Sequence, residues 1–135
     1  MSKSNTAENA VLAAMYVGTA LPWAANTDLW AALYTSDPGE AGSANTNECA
    51  FGGYARVAIT RATGFDLVGN QISNDAQISF PECTSGSETV THCAIVTTSS
   101  GAGTILHSGA LSASRSVSSG ITLQFPAGTF TVTED

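Results

Sequence analysis

From Asp28 to the C-terminus the chain is cut into short runs of alternating apolar and polar residues, broken by Gly, Asn, Asp, Ser and Pro. Side chains alternate between two faces along a strand, so runs of this length and period fold as strands joined by turns. The runs fall at 29–35, 54–60, 65–68, 71–73, 76–80, 90–97, 104–110, 114–117, 121–125 and 129–133. Turn chemistry supports the breaks at Asp37-Pro38-Gly39, Gly69-Asn70, Ser99-Ser100-Gly101 and Ser119-Gly120. Alternation puts Ala76, Ile78 and Phe80, and likewise Ile121, Leu123 and Phe125, on a buried face. Residues 90–96 are apolar on both parities, which predicts a central strand covered on both sides or lying against a neighbouring subunit. The expected fold is mainly β, a β-sandwich or jelly roll.

Helical periodicity occurs once, over residues 6–17, where Val11, Ala14, Met15 and Gly18 recur at intervals of three and four. An Asn5-x-x-Glu8 pattern resembles a capping box, and Gly18 can close the helix in the left-handed conformation. Leu21-Pro22-Trp23 then predicts an extended linker. The expected organisation is an N-terminal helix and arm over 1–27 and a β domain over 28–135, sharing one core, which suits 135 residues. Residues 36–53 carry little periodicity, a long loop for a compact domain. With Cys49 and Phe51 inside it, this loop is expected to dock on a partner.

Only 11 % of residues are charged, and hydroxyl side chains supply the polarity through 17 Thr and 16 Ser. With 4 Lys and Arg against 11 Asp and Glu, the formal charge is −7. Such a surface has no cationic patch for phosphates or anionic lipid, so no nucleic-acid or membrane partner is expected. The N-terminus lacks the basic and hydrophobic blocks of a signal peptide, and the uncharged stretch 9–27 is broken by Gly18 and Pro22. Catalysis has little to work with. There is no Gly-x-Ser-x-Gly elbow, and His92 and His107 are the only histidines. Glu82 and Glu88 lack calcium-loop spacing, and Gly101-Ala102-Gly103 lacks the lysine of a phosphate loop. Cys49, Cys83 and Cys93 have neither zinc nor redox spacing and read as buried free thiols. No catalytic residue, cofactor or metal is expected. Arg56, Arg61 and Arg115 stand out by scarcity: each suits a carboxylate contact, either local or across a subunit boundary.

The segment Leu29-Trp30-Ala31-Ala32-Leu33-Tyr34-Thr35-Ser36-Asp37-Pro38, followed by Gly52-Gly53-Tyr54-Ala55-Arg56, resembles the opening of small tailed-bacteriophage virion proteins often labelled tail-fibre-like or minor tail proteins. Ile78-Ser79-Phe80-Pro81, Thr89-Val90-Thr91-His92-Cys93-Ala94-Ile95, Ser108-Gly109-Ala110-Leu111 and the tail from Phe125 to Thr133 follow in the same order. The chain departs from the usual pattern in its longer insertion between Asp37 and Gly53 and in its three cysteines. The resemblance implies a non-enzymatic virion component and offers no catalytic residues to carry over. No repeat or long extended shaft is visible, so the expected role is a capsid decoration (cement) protein. Its partners would be the major capsid protein or other virion proteins, and itself as a dimer or trimer. A minor tail or fibre-associated protein is the alternative, and a carbohydrate-binding module a remote one. Expected contact residues are Val11, Met15, Trp23, Glu40, Glu48, Phe51 and Arg56.

Overall fold

A computed structural model describes residues 1–41 and 43–134. Gly42 of the expected contact loop and Asp135 at the end of the expected β domain lie outside the described residues. In chain order the elements are β1 (Ser2–Lys3), α1 (Asn5–Leu12), a π-helical turn (Ala13–Val17), β2 (Asp28–Tyr34), β3 (Val57–Thr60), β4 (Phe65–Val68), β5 (Gln71–Asn74), β6 (Ile78–Ser79), β7 (Ser87–Val96), β8 (Ile105–Ser118), β9 (Gln124–Phe125) and β10 (Thr131–Thr133). The chain is mainly β, with one short helical segment at its N-terminus. A five-stranded antiparallel sheet runs β1-β8-β7-β2-β3; β10-β5-β4 and β6-β9 form two smaller antiparallel sheets.

Strand parity divides the core. Ala31 and Leu33 of β2 and Cys93 and Ile95 of β7 share one buried cluster with Ile78, Phe80, Phe130 and Val132, so this face of the large sheet packs against the small sheets. Ala32, Tyr34, Ala94, Val96 and Ile105 point the other way and are closed over by Ala44 from the long loop. The doubly apolar run 90–96 is therefore a central strand, and its second cover comes from the same chain. Rings link the layers: Phe51–Tyr54 at 5.3 Å, Tyr54–Phe80 at 6.4 Å, Phe80–Phe125 at 6.2 Å and Phe125–Phe130 at 4.9 Å. Such pairs add about 0.5–1.5 kcal/mol each beyond the area they bury.

The N-terminal segment is built into this sheet. β1 pairs with β8 through Ser2 with Ser108 and Lys3 with His107. The helix cap is Ser4, one residue earlier than the expected Asn5: its hydroxyl accepts from the Ala7 N–H at 3.2 Å and donates to the Ile105 carbonyl. The π turn ends at Gly18, whose N–H bonds the Ala13 carbonyl and whose φ of +76° brings the Thr19 N–H back to the same carbonyl at 3.2 Å.

Other expectations change. Residues 22–25 form a turn and not the expected extended linker, with the Ala24 N–H on the Leu21 carbonyl at 2.9 Å. Ala76 and Ile121 are exposed, because the alternation that includes them runs past the paired strands β6 and β9 into turns. The runs 104–110 and 114–117 are one strand, β8, interrupted by a bulge.

Candidate functional site

The long loop is tied down by a buried ion pair. Arg56 Nε and Nη2 lie 2.6 and 2.8 Å from the two Glu48 carboxylate oxygens. Nη1 donates to the Thr98 carbonyl and hydroxyl at 2.9 Å, and Nη2 to the Gly101 carbonyl at 2.7 Å. The Tyr54 hydroxyl donates to Glu48 at 2.8 Å while accepting from the Leu33 N–H at 3.1 Å. The Arg56 side chain is 1 % exposed. Burial works against its charge, but the Glu48 hydrogen bonds and charge outweigh that and hold the guanidinium above its ordinary pKa. Burial first, and then Glu48, push the Tyr34 hydroxyl up; burial likewise raises Tyr54, with Glu48 adding to it. The pair joins the loop at Glu48 to the 98–101 turn through Arg56, the residue before β3, and is a fastening of the fold.

The expected contact residues separate accordingly. Trp23 (9 % exposed) and Phe51 (5 %) are core residues, and Arg56 and Glu48 satisfy one another. These four correct the expectation of a partner surface: linker and loop residues were read as available to a neighbour, and the fold uses them internally. Glu40 is exposed, its main-chain carbonyl accepting from the Asn5 N–H at 3.1 Å. Val11 is half-buried and Met15 is exposed.

Those last two belong to an apolar groove of about 690 Å³, with Trp23, Leu21 and Leu106 alongside. Along it and past its edge the helical segment presents Leu12, Met15, Tyr16 and Val17, exposed by 54 %, 65 %, 77 % and 78 %. Leu12 and Tyr16 stand one residue on from Val11 and Met15, out of phase with the stripe Val11, Ala14, Met15 and Gly18, so that periodicity does not mark them; their own i, i+4 spacing does. A row of this kind on a charge-poor protein suits contact with another macromolecule.

One end of the groove is closed by a three-residue clasp. Glu134 accepts from Lys3 Nζ at 2.9 Å and pairs with His107 Nε2 at 2.8 Å. The Lys3 hydrogen bond, with help from His107, holds the Glu134 carboxyl below its usual range, while burial lowers His107 more than Glu134 raises it. Both depressed values act with the same sign: the unfolded chain binds these protons more readily, so stability is lost as pH falls, first below the ordinary histidine value of 6.5 and then below the ordinary carboxyl value of 4.5. The melting temperature is expected to fall between pH 7 and pH 4, and His107→Gln to flatten the upper part of that fall; a flat profile in the parent would contradict the clasp.

All three cysteines are buried and free. Burial, helped by Glu88, pushes the Cys49 thiol up to about 12, and burial alone does the same for Cys93, so these two are inert packing groups. Among the described residues, no helix is long and apolar enough to cross a membrane, and no group of three or more His, Cys, Asp or Glu is placed to hold a metal ion.

No curated protein matches the chain. The family model described as podophage GP4 fiber I protein gp80 matches residues 2–133, from β1 through β10. The match thus spans both sheet layers and the helical segment with its exposed apolar row, and the chain belongs to the podophage GP4 fiber I protein gp80 family of tail-fibre-like phage virion proteins.

Proposed function

We propose that this bacteriophage virion protein is a fibre-associated structural subunit, fixed to neighbouring virion proteins through the groove and exposed rim of its N-terminal helical segment. The observation that carries the reading is the row Leu12, Met15, Tyr16 and Val17, exposed on a protein whose other large apolar side chains are mostly buried. Fully burying a side chain of this size is worth about 1.5–3 kcal/mol, so four supply a useful share of an assembly contact. The work is mechanical and not catalytic, and the partners are proteins, including further copies of this chain, and neither nucleic acid nor membrane. Membership of a fibre family supports the tail side.

Capsid decoration is the second reading. It is favoured by the two-layer architecture, in which the described residues fold back on one core and form no extended shaft. Copy number in purified virions, measured by quantitative mass spectrometry against the major capsid protein, separates the two. A few to a few dozen copies per particle is the expected result; a ratio near one per capsid subunit would move the protein to the capsid surface.

A further inference from the structure

β8 carries a bulge where its ladder register with β7 is interrupted. In the ladder with β7, Val90 faces Arg115 and His92 faces Ala110, so the four residues Leu111–Ser114 stand against Thr91 alone and have no ladder partner. On the outer edge β1 covers only His107 and Ser108. Neither neighbouring strand thus supplies a register partner for Leu111–Ser114. An unpaired strand edge is a template for another chain, and bulges at sheet edges commonly mark working surfaces.

This bulge borders a cleft of about 550 Å³, opposite residues 124–131 and with buried Cys93 and Phe130 among its lining. That volume lies in the range of binding clefts, about 300–1,000 Å³. Beside Leu111, which packs against the core, the bulge side presents the small side chains Ala110, Ser112 and Ala113, over which another backbone can approach closely. The cleft also continues the track of β1: Met1 lines it, and a Cβ on Gly109 would stand 3.2 Å from the Met1 side chain. An antiparallel strand already lies on β8 just before the cleft begins.

The charge of the cleft is specific. Of the chain's 4 Lys and Arg, Lys3 is held by Glu134, Arg56 by Glu48, and Arg61 by the carbonyls of Trp23, Ala24 and Asn26. Arg115, which lines the cleft, has no hydrogen bond or ion pair among the described residues. A single uncommitted guanidinium on a protein of charge −7 is complementary to one carboxylate of an incoming chain.

We propose that this cleft receives an extended peptide segment of another virion protein, hydrogen-bonded to the backbone of Leu111–Ser114 and placing an acidic side chain on Arg115. Strand addition suits the site because main-chain groups supply the binding while a small number of side chains set the choice of partner. A second copy is a poorer occupant, since every described strand already pairs within its own fold. The inference rests on the protein being part of the virion.

The test is site-specific photo-cross-linking in assembled particles, with p-benzoylphenylalanine encoded in place of Ser112, and in place of exposed Thr63 as control. Irradiated virions are expected to give a cross-link from position 112 to a peptide of a different virion protein, with none to that peptide from position 63. Arg115→Glu, on an exposed residue, is expected to lower the yield about tenfold while leaving the melting temperature of the isolated protein unchanged. Cross-links only to further copies of this chain, no cross-link, or a yield indifferent to Arg115→Glu would each overturn the proposal. Particles that contain the chain but give no cross-link at 112 would refute this inference alone; particles that lack the chain would refute the virion reading along with it.

Discussion

Replacing Arg56 with alanine is expected to lower the unfolding free energy by about 3–5 kcal/mol, the usual cost of breaking a buried ion pair from one side. The cost arises from what remains. Glu48 would keep a carboxylate whose only other described partner is the Tyr54 hydroxyl, and the Thr98 and Gly101 carbonyls would lose their donor. Glu48 would also cease to hold the loop whose Ala44 covers Tyr34 and Val96. Since domains are stable by only about 5–15 kcal/mol, the variant should unfold at markedly lower urea. Replacing Arg56 and Glu48 together with methionine is expected to cost less than the two single losses combined, because neither charge is then left alone. Equilibrium urea unfolding followed by tryptophan fluorescence reads both. A loss below about 1 kcal/mol for Arg56→Ala, as for an exposed pair, would show that the loop is held by its other contacts.

The second large effect concerns assembly. Met15, Tyr16 and Val17 together changed to serine should leave the isolated protein folded, with a melting temperature close to the parent, because all three are exposed. Incorporation into particles is expected to fall by more than tenfold: each large apolar side chain contributes about 1.5–3 kcal/mol when buried, and about 1.4 kcal/mol is a factor of ten. Quantification of the variant in virions purified from a complemented deletion phage measures this. Unchanged incorporation would remove the helical face from the contact surface and leave the β8 cleft as the stronger candidate.

Much of the fold was legible because strand periodicity is local information. The run 65–68 coincides with β4, the run 29–35 is one residue out of step with β2, and the two-parity pattern of 90–96 identified a central strand before its neighbours were known. What escaped depended on distance in space. Phe51 and Trp23 sit in segments without periodicity, and nothing in such a segment says whether an apolar ring turns inward or outward. Arg56 and Glu48 are eight residues apart, and their pairing follows from the route of the loop. The gap between the runs ending at 110 and beginning at 114, Leu111-Ser112-Ala113, coincides with the β8 bulge.

A structural subunit of the fibres, as proposed, must be found there in the phage particle. Electron cryomicroscopy of purified virions, with this fold fitted into the asymmetric reconstruction, tests this most directly. Density for the two-layer β domain is expected at the fibres, with the segment Leu12–Val17 against a neighbouring subunit. Density repeated across the capsid lattice, or none in the particle, would contradict it.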